Sequence, residues 1–194
     1  MRRAKVLCKT HLDKQIDISL VESELDCEPV RNLLRTFVNW HFERHLEDKD
    51  LISEYFDKAE YEKEINELPG KYMYPDGALL LAHYKSSPAG CVALKKIDKD
   101  SCEMKRMFVY EQFHGLGIGK QLAVEIVTRA KELGFKFMKL DTSFRQVEAQ
   151  RLYQSIGFQP CNPYYDLPER LRNWLVFMEL DLRSWSVDRQ ITPL

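Results

Sequence analysis

The run Glu103-Met-Lys-Arg-Met-Phe-Val-Tyr-Glu-Gln-Phe-His-Gly-Leu-Gly-Ile-Gly-Lys120 decides how the chain is read. Its first half suits a strand, because Met104, Phe108 and Val109 supply apolar or β-forming side chains and no Gly or Pro interrupts it. Its second half cannot continue that strand, since glycines at 115, 117 and 119 remove every other side chain. A helical pattern then runs through Leu122, Ile126, Ala130 and Leu133 at spacings of four and three. Strand, glycine loop and helix N-terminus thus follow one another directly. That order predicts an anion site: loop amides and the free N–H groups of a first helical turn point outward, and the helix dipole adds partial positive charge.

Three common glycine loops do not fit. A Walker loop needs a Gly where His114 stands and a Ser or Thr where Gln121 stands. A dinucleotide fingerprint needs a third Gly at Lys120 or at Leu122, and a kinase-type loop fails on the same spacing.

His114-Gly-Leu-Gly-Ile-Gly119 after a strand resembles motif A of the GNAT superfamily of CoA-dependent N-acetyltransferases, Gln/Arg-x-x-Gly-x-Gly/Ala, with Gly117 and Gly119 on its glycines and His114 in the Gln/Arg place. Ala149-Gln-Arg-Leu-Tyr153-Gln-Ser-Ile-Gly157-Phe158 resembles the second signature of the family, Ala-x-x-Leu-Tyr-x-x-x-Gly-Phe, with Gln146 where the family carries Asn. The resemblance implies that acetyl-CoA is the cosubstrate and that no metal takes part. His114, Gly115, Leu116, Gly117, Ile118, Gly119 and Lys120 would cradle the pyrophosphate, largely through backbone amides. The backbone of Met107, Phe108 and Val109 would pair with the pantetheine arm, and Gln146 would take the contact of the missing Asn.

The remaining chain is compatible with that frame. A length of 194 residues suits one domain, with a core over about 15–182 and flanking tails. Net charge is −1 and 44% of residues are hydrophobic, so no global basic excess favours nucleic acid. No run of eighteen apolar residues suggests a membrane span, and Met-Arg-Arg-Ala-Lys at the start is not followed by a signal-peptide core. The expected location is cytoplasmic. The five cysteines form no Cys-x-x-Cys pair and are odd in number, which favours reduced thiols.

Alternation of Ile16, Ile18 and Leu20 predicts a strand after a polar lead-in over residues 1–14. Cys27 to about Leu46 reads as a helix capped by Asp26, with Val30, Leu33, Leu34, Phe37 and His41 on one face. A second helix is expected from Ile52 to Leu68, ended by Pro69-Gly70. Strands over Ala78–Tyr84 and Cys91–Ile97, joined by a turn at 86–90, lead into the Glu103 strand as an antiparallel meander. Beyond the glycine loop and its helix come a parallel strand over Phe135–Leu140, a helix over 145–156, a strand near Phe158 and a last strand over Leu175–Leu182. The order β-αα-βββ-αβ-αβ-β, a mixed α/β sheet flanked by helices, resembles the GNAT fold.

His41 and His45 lie one helical turn apart, but no zincin spacing surrounds them. Trp40, His41 and their aromatic neighbours are candidates to border a substrate pocket. Acetyl transfer to an amine requires loss of a proton, because an alkylammonium with a pKa near ~10.4 has no free lone pair. Glu103 stands at the spacing at which histone-acetylating members of the family carry their general base, the alternative being a solvated carboxylate paired with Lys105 or Arg106. By the same resemblance the Met107 N–H faces the developing oxyanion, and Tyr153 matches the tyrosine that assists the departing sulfur. Two classes of function stand side by side: an N-acetyltransferase acting on a primary amine of a small molecule, or of a peptide or protein, and a non-catalytic CoA-binding module. Glu103 and Tyr153 favour the enzyme. A homodimer remains open, with the tail after Leu182, which carries Trp185, as a candidate to cover a neighbouring surface.

Overall fold

The computed structural model describes residues 15 to 187, so the expected lead-in and the end of the tail lie outside the described residues. Within them the chain runs β1 (Ile16–Leu20), α1 (Glu24–Arg44), α2 (Lys49–Tyr55), α3 (Lys58–Asn66), β2 (Gly77–Tyr84), β3 (Ser87–Lys96), β4 (Ser101–Val109), α4 (Ile118–Glu132), β5 (Phe137–Ser143), α5 (Val147–Ile156), β6 (Gln159–Pro160), α6 (Glu169–Trp174) and β7 (Leu175–Asp181). The strands form one sheet in the order β1-β2-β3-β4-β5-β7-β6, with β4 and β5 parallel and the other neighbours antiparallel. The expected meander and the parallel return through α4 are both present.

Local chemistry moves several boundaries. Ser23, not Asp26, caps α1: its Oγ accepts the Asp26 N–H at 3.3 Å and donates to the Asp26 carboxylate at 2.6 Å, so the helix starts three residues early. The single helix expected over 52–68 is two, because the Asp57 carboxylate accepts the N–H groups of Ala59 and Glu60 at 3.0 and 2.9 Å and starts α3 afresh. The β2–β3 turn is only Lys85-Ser86, both at positive φ, and Pro88 lies inside β3 next to an irregularity in the register, where its missing N–H is tolerated. The short helix α6 was not expected, although Leu171 and Trp174 bury one face of it.

Side-chain alternation sends the two faces of the sheet into separate cores. Leu80, Val92, Leu94, Cys102, Met104, Met138 and Leu140 pack under α4 and α5, while Leu79, Leu81, Cys91, Ala93 and Phe177 pack under α1, α2, α3 and α6. Trp185 joins the first core, with its indole N–H donating to the Ile156 carbonyl at 3.2 Å. It therefore closes the chain's own core, against the expectation that it covers a neighbouring surface.

Besides the irregularity near Pro88, alternation breaks in β4. The register passes from Cys91↔Phe108 to Ala93↔Lys105, so Arg106 and Met107 together oppose Val92. Arg106 takes φ 57°, and the extra residue is a β-bulge. Before it, Cys102 and Met104 face α4; after it, Met107 and Val109 do, and Phe108 faces α1. Lys105 and Arg106 consequently point to the same side. Arg106 meets Glu64 of α3 through two bonds, Nε at 2.6 Å and Nη2 at 2.9 Å, and its guanidinium lies over the Tyr61 ring. Burial alone would raise the Glu64 pKa, but the bonded charge of Arg106 outweighs it and holds the carboxyl at about 2.

Removing one partner of a buried pair leaves the other charge uncompensated. Glu64→Ala is therefore expected to lower the unfolding free energy at neutral pH by about 3–5 kcal/mol in urea titration, and a loss within experimental error would show that the bulge stands without it.

Candidate functional site

The bulge separates β4 from its parallel neighbour. Pairing between β4 and β5 covers Ser101–Glu103 against Phe137–Lys139 only, while β5 continues to pair with β7 as far as Ser143. From Met104 onward the edge of β4 that faces β5 is unpaired, and the two strands diverge around a cavity of about 80 Å³. Met104, Met107, Leu140, Ala149 and Tyr153 line it from the α4/α5 side of the sheet. From the other side it is lined by Phe37 and His41 of α1, Tyr55 of α2 and the following Phe56, Lys105, Asp141 and Trp174. The cavity thus passes through the sheet at the β4/β5 gap. Since one water needs roughly 10–15 Å³ on this measure, it has room for a few reacting atoms rather than for a whole ligand.

The glycine loop follows β4 and leads into α4, with Gly119 lying beside Val109 of β4 and Leu152 of α5. Gly115 and Gly117 have φ 78° and 79°, the left-handed region that favours glycine, and Gly117 caps α4. No side chain caps this helix and no acidic residue occupies its first turn, whereas α1 and α3 carry both. The first-turn amides are therefore left for an external acceptor. His114 braces the loop, its Nε2 lying 2.9 Å from the Val109 carbonyl. Gly119 sits between Val109 of β4 and Leu152 of α5; a Cβ there would meet them at 3.9 and 3.6 Å, ordinary contact, so packing within the protein does not demand glycine.

Tyr153 is 6% exposed and its hydroxyl has no hydrogen-bond partner among the described residues. Burial raises its pKa and the Asp141 charge adds to the shift, so the phenol keeps its proton at neutral pH. Gln146 lines the same cavity and its amide nitrogen lies 3.0 Å from Nε2 of His45. The side chain of Phe108 belongs to the α1 core and that of Ile118 to the α4 core.

Glu103 is not a solvated carboxylate. It is 2% exposed, bonded to Lys95 at 2.9 Å and Lys105 at 3.1 Å, and accepts the Tyr164 hydroxyl at 2.8 Å. Burial would raise its pKa, but the charges of Lys105 and Lys95 outweigh it and hold it at about 2. Lys105 also reaches Asp141 at 3.5 Å, and Asp141 accepts hydrogen bonds from Tyr55 and Tyr164. The cavity wall begins one residue beyond Glu103, at Met104.

The structure thus brings Met107, Gln146 and Tyr153 to one cavity, starts an uncapped helix within Gly115 to Lys120 in the loop after β4, and leaves Glu103 outside the residues that line the cavity. Of the aromatic pair expected at a pocket, His41 lines the cavity, whereas Trp40 donates its indole N–H to Glu111 at 2.6 Å. Sequence reasoning did not find Tyr55, Asp141 or Trp174. The alternation of β5 puts Asp141 on the Lys105 face, but the other two depend on the helix break at Asp57 and on α6.

Residues 33–158 match the model of the acetyltransferase (GNAT) family. The chain is 28% identical, over an alignment of 227 positions, to an uncharacterized N-acetyltransferase of Dictyostelium discoideum, covering 86% of this chain and 99% of that protein. It is 39% identical over 114 residues to an uncharacterized N-acetyltransferase of Schizosaccharomyces pombe, covering 58% and 68%. Among solved structures, the PaiA N-acetyltransferase of Thermoplasma acidophilum in complex with coenzyme A superposes with a TM-score of 0.65 at 22% identity, over 86% of this chain and 98% of that one, a likeness of fold.

The Glu103 cluster has a measurable signature. Because the folded pKa is depressed, the stabilisation from this carboxylate is complete above its unfolded value of about 4.3 and is lost as pH falls towards about 2. Glu103→Gln should be clearly less stable than the parent at pH 7, and the gap should close between pH 5 and 2 in urea unfolding. A gap independent of pH would sink the charge-pairing account.

Proposed function

The chain belongs to the acetyltransferase (GNAT) family and works as an N-acetyltransferase; from that premise we propose that it moves the acetyl group of acetyl-CoA to a primary amine of a small molecule, by direct attack in a ternary complex. The observation that carries this reading is the cavity at the β4/β5 gap together with the uncapped start of α4 in the loop that follows β4. Acetyl-CoA would supply a thioester carbonyl as electrophile. The amides from Gly115 to Lys120 suit its pyrophosphate, and glycine at 119, which the protein's own packing does not require, leaves room for close approach of an anion.

In this reading the unpaired edge of β4 over Met107, Phe108 and Val109 takes the place of a missing neighbour strand for the pantetheine arm, and the Met107 N–H at the bulge serves the developing oxyanion. Gln146 sits at the gap as a polar contact. Tyr153 acts as a hydrogen-bond donor to the departing sulfur. With its pKa raised by burial, full proton transfer to a thiolate of pKa near ~8.5 is uphill, so the contribution is stabilisation by an O–H dipole. Glu103, committed to two lysines, fixes Lys105 and Tyr164 in this scheme rather than serving as the free base suggested by its position. A small acceptor fits because Tyr55, Phe56 and Trp174 line the far side of the cavity, where a peptide would need an open groove.

Acetyl-CoA is expected to raise the melting temperature, equivalent to about 2.7 kcal/mol at a hundred times Kd, while ATP and NADH raise it far less. Gly117→Glu should abolish the shift by placing a carboxylate at the amide cradle. Equal stabilisation by all three nucleotides would end this assignment, and a panel of amines and peptides with acetyl-CoA, read by mass spectrometry of the products, then identifies the acceptor class.

A further inference from the structure

His41 is 4% exposed and lines the cavity from α1. Its ring is clamped by apolar contact: Phe37 at 4.7 Å between centroids, Trp40 at 5.3 Å and Phe56 at 5.5 Å. Nδ1 is fully buried without a partner, and neither ring nitrogen has a hydrogen-bond partner among the described residues. A buried imidazole with no bond weakens a fold that phenylalanine would fill as well. The other polar groups on this side are engaged: Lys105 with Glu103 and Asp141, Asp141 with Tyr55 and Tyr164, and Arg106 with Glu64. Among the described residues that line this side of the cavity, His41 is the polar side chain left without a hydrogen bond, and across the gap the Tyr153 hydroxyl is likewise unbonded.

Resting on the acetyl-transfer reading above, we propose that His41 is a catalytic residue that accepts the N–H of the attacking amine and takes its proton as the amide forms. The uncharged amine donates its lone pair to the thioester carbonyl carbon, the C–S bond breaks with its electron pair going to sulfur, and the proton shed by nitrogen goes to the imidazole. Burial, with His45 adding to it, lowers the His41 pKa to about 4. The ring is therefore neutral at physiological pH and has a lone pair ready, and the imidazolium formed passes its proton downhill to a thiolate of pKa near ~8.5. An ammonium finds no lone pair to offer the carbonyl, so the site selects the free-base form of its acceptor.

Bromoacetyl-CoA tests this without knowledge of the acceptor, because it carries a reactive carbon to the acetyl position. The neutral imidazole should displace bromide and lose its proton, leaving His41 alkylated with CH2–CO–S–CoA, which water cleaves at the thioester to a carboxymethyl group and free CoA; either adduct is found by peptide mass spectrometry and prevented by excess CoA. His41→Phe should lose that adduct while melting no lower than the parent and retaining the CoA-induced shift; His41→Gln serves if the first variant does not fold. Adducts on other residues alone, or no adduct although CoA still raises the melting temperature, overturn the role of His41. Absence of any shift with CoA overturns the cosubstrate reading itself, and the inference with it.

Discussion

Arg106 is the residue on which the architecture turns. A guanidinium with a fixed fork of donors cannot be buried unless a carboxylate meets it, and Glu64 does so from a helix 42 residues earlier in the chain. Holding Arg106 on the α1–α3 side forces one extra residue into β4, and that extra residue reverses which side chains face which core. Without the bulge, Arg106 would share a face with Met104 beneath α4, where no carboxylate is buried to meet it. The pairing of β4 with β5 ends at Glu103, just before the bulge, and the cavity lies in the gap from Met104 onward.

The two faces of the sheet have different chemical tasks. The α4/α5 side is apolar almost throughout and presents backbone amides at the start of an uncapped helix, a surface suited to a long, thin, anionic ligand. The opposite side buries a network of lysines, carboxylates and tyrosines beneath a shell of aromatic rings. Nearly every charge in that network is matched, so it resists rearrangement and forms much of one wall of the small cavity. An unbonded histidine in such a setting stands out because its neighbours are so completely partnered.

Much of this was legible in the sequence. The alternation in β2 to β4, the helical spacing after Gly119 and the second signature around Tyr153 are local patterns, and they located the mixed sheet and the helices α4 and α5 beside it. The bulge was not legible, since nothing between Lys105 and Met107 is a glycine or a turn former; its cause is Glu64. The helix break at Asp57 was missed because apolar spacing continues across it, and only the capping carboxylate shows that a new helix begins. Glu103 read as an exposed base candidate because its own strand cannot reveal that Lys95 and Tyr164 close over it. His41 was visible as a pocket-facing residue, but the lack of any partner is a property of three dimensions.

The short β4/β5 pairing has a mechanical consequence. Three residue pairs, Ser101–Glu103 with Phe137–Lys139, join a four-stranded plate to a three-stranded one. Apart from the two-residue edge strand β6, the strands within each plate are paired over longer stretches than this, so the seam is the weakest line in the body of the sheet. Anything that hydrogen-bonds along the open edge of β4 while touching α5 acts as a fastener across that seam. The stiffness of the whole sheet, and with it the exact spacing of groups on either side of the cavity, then belongs to the occupied molecule more than to the chain by itself.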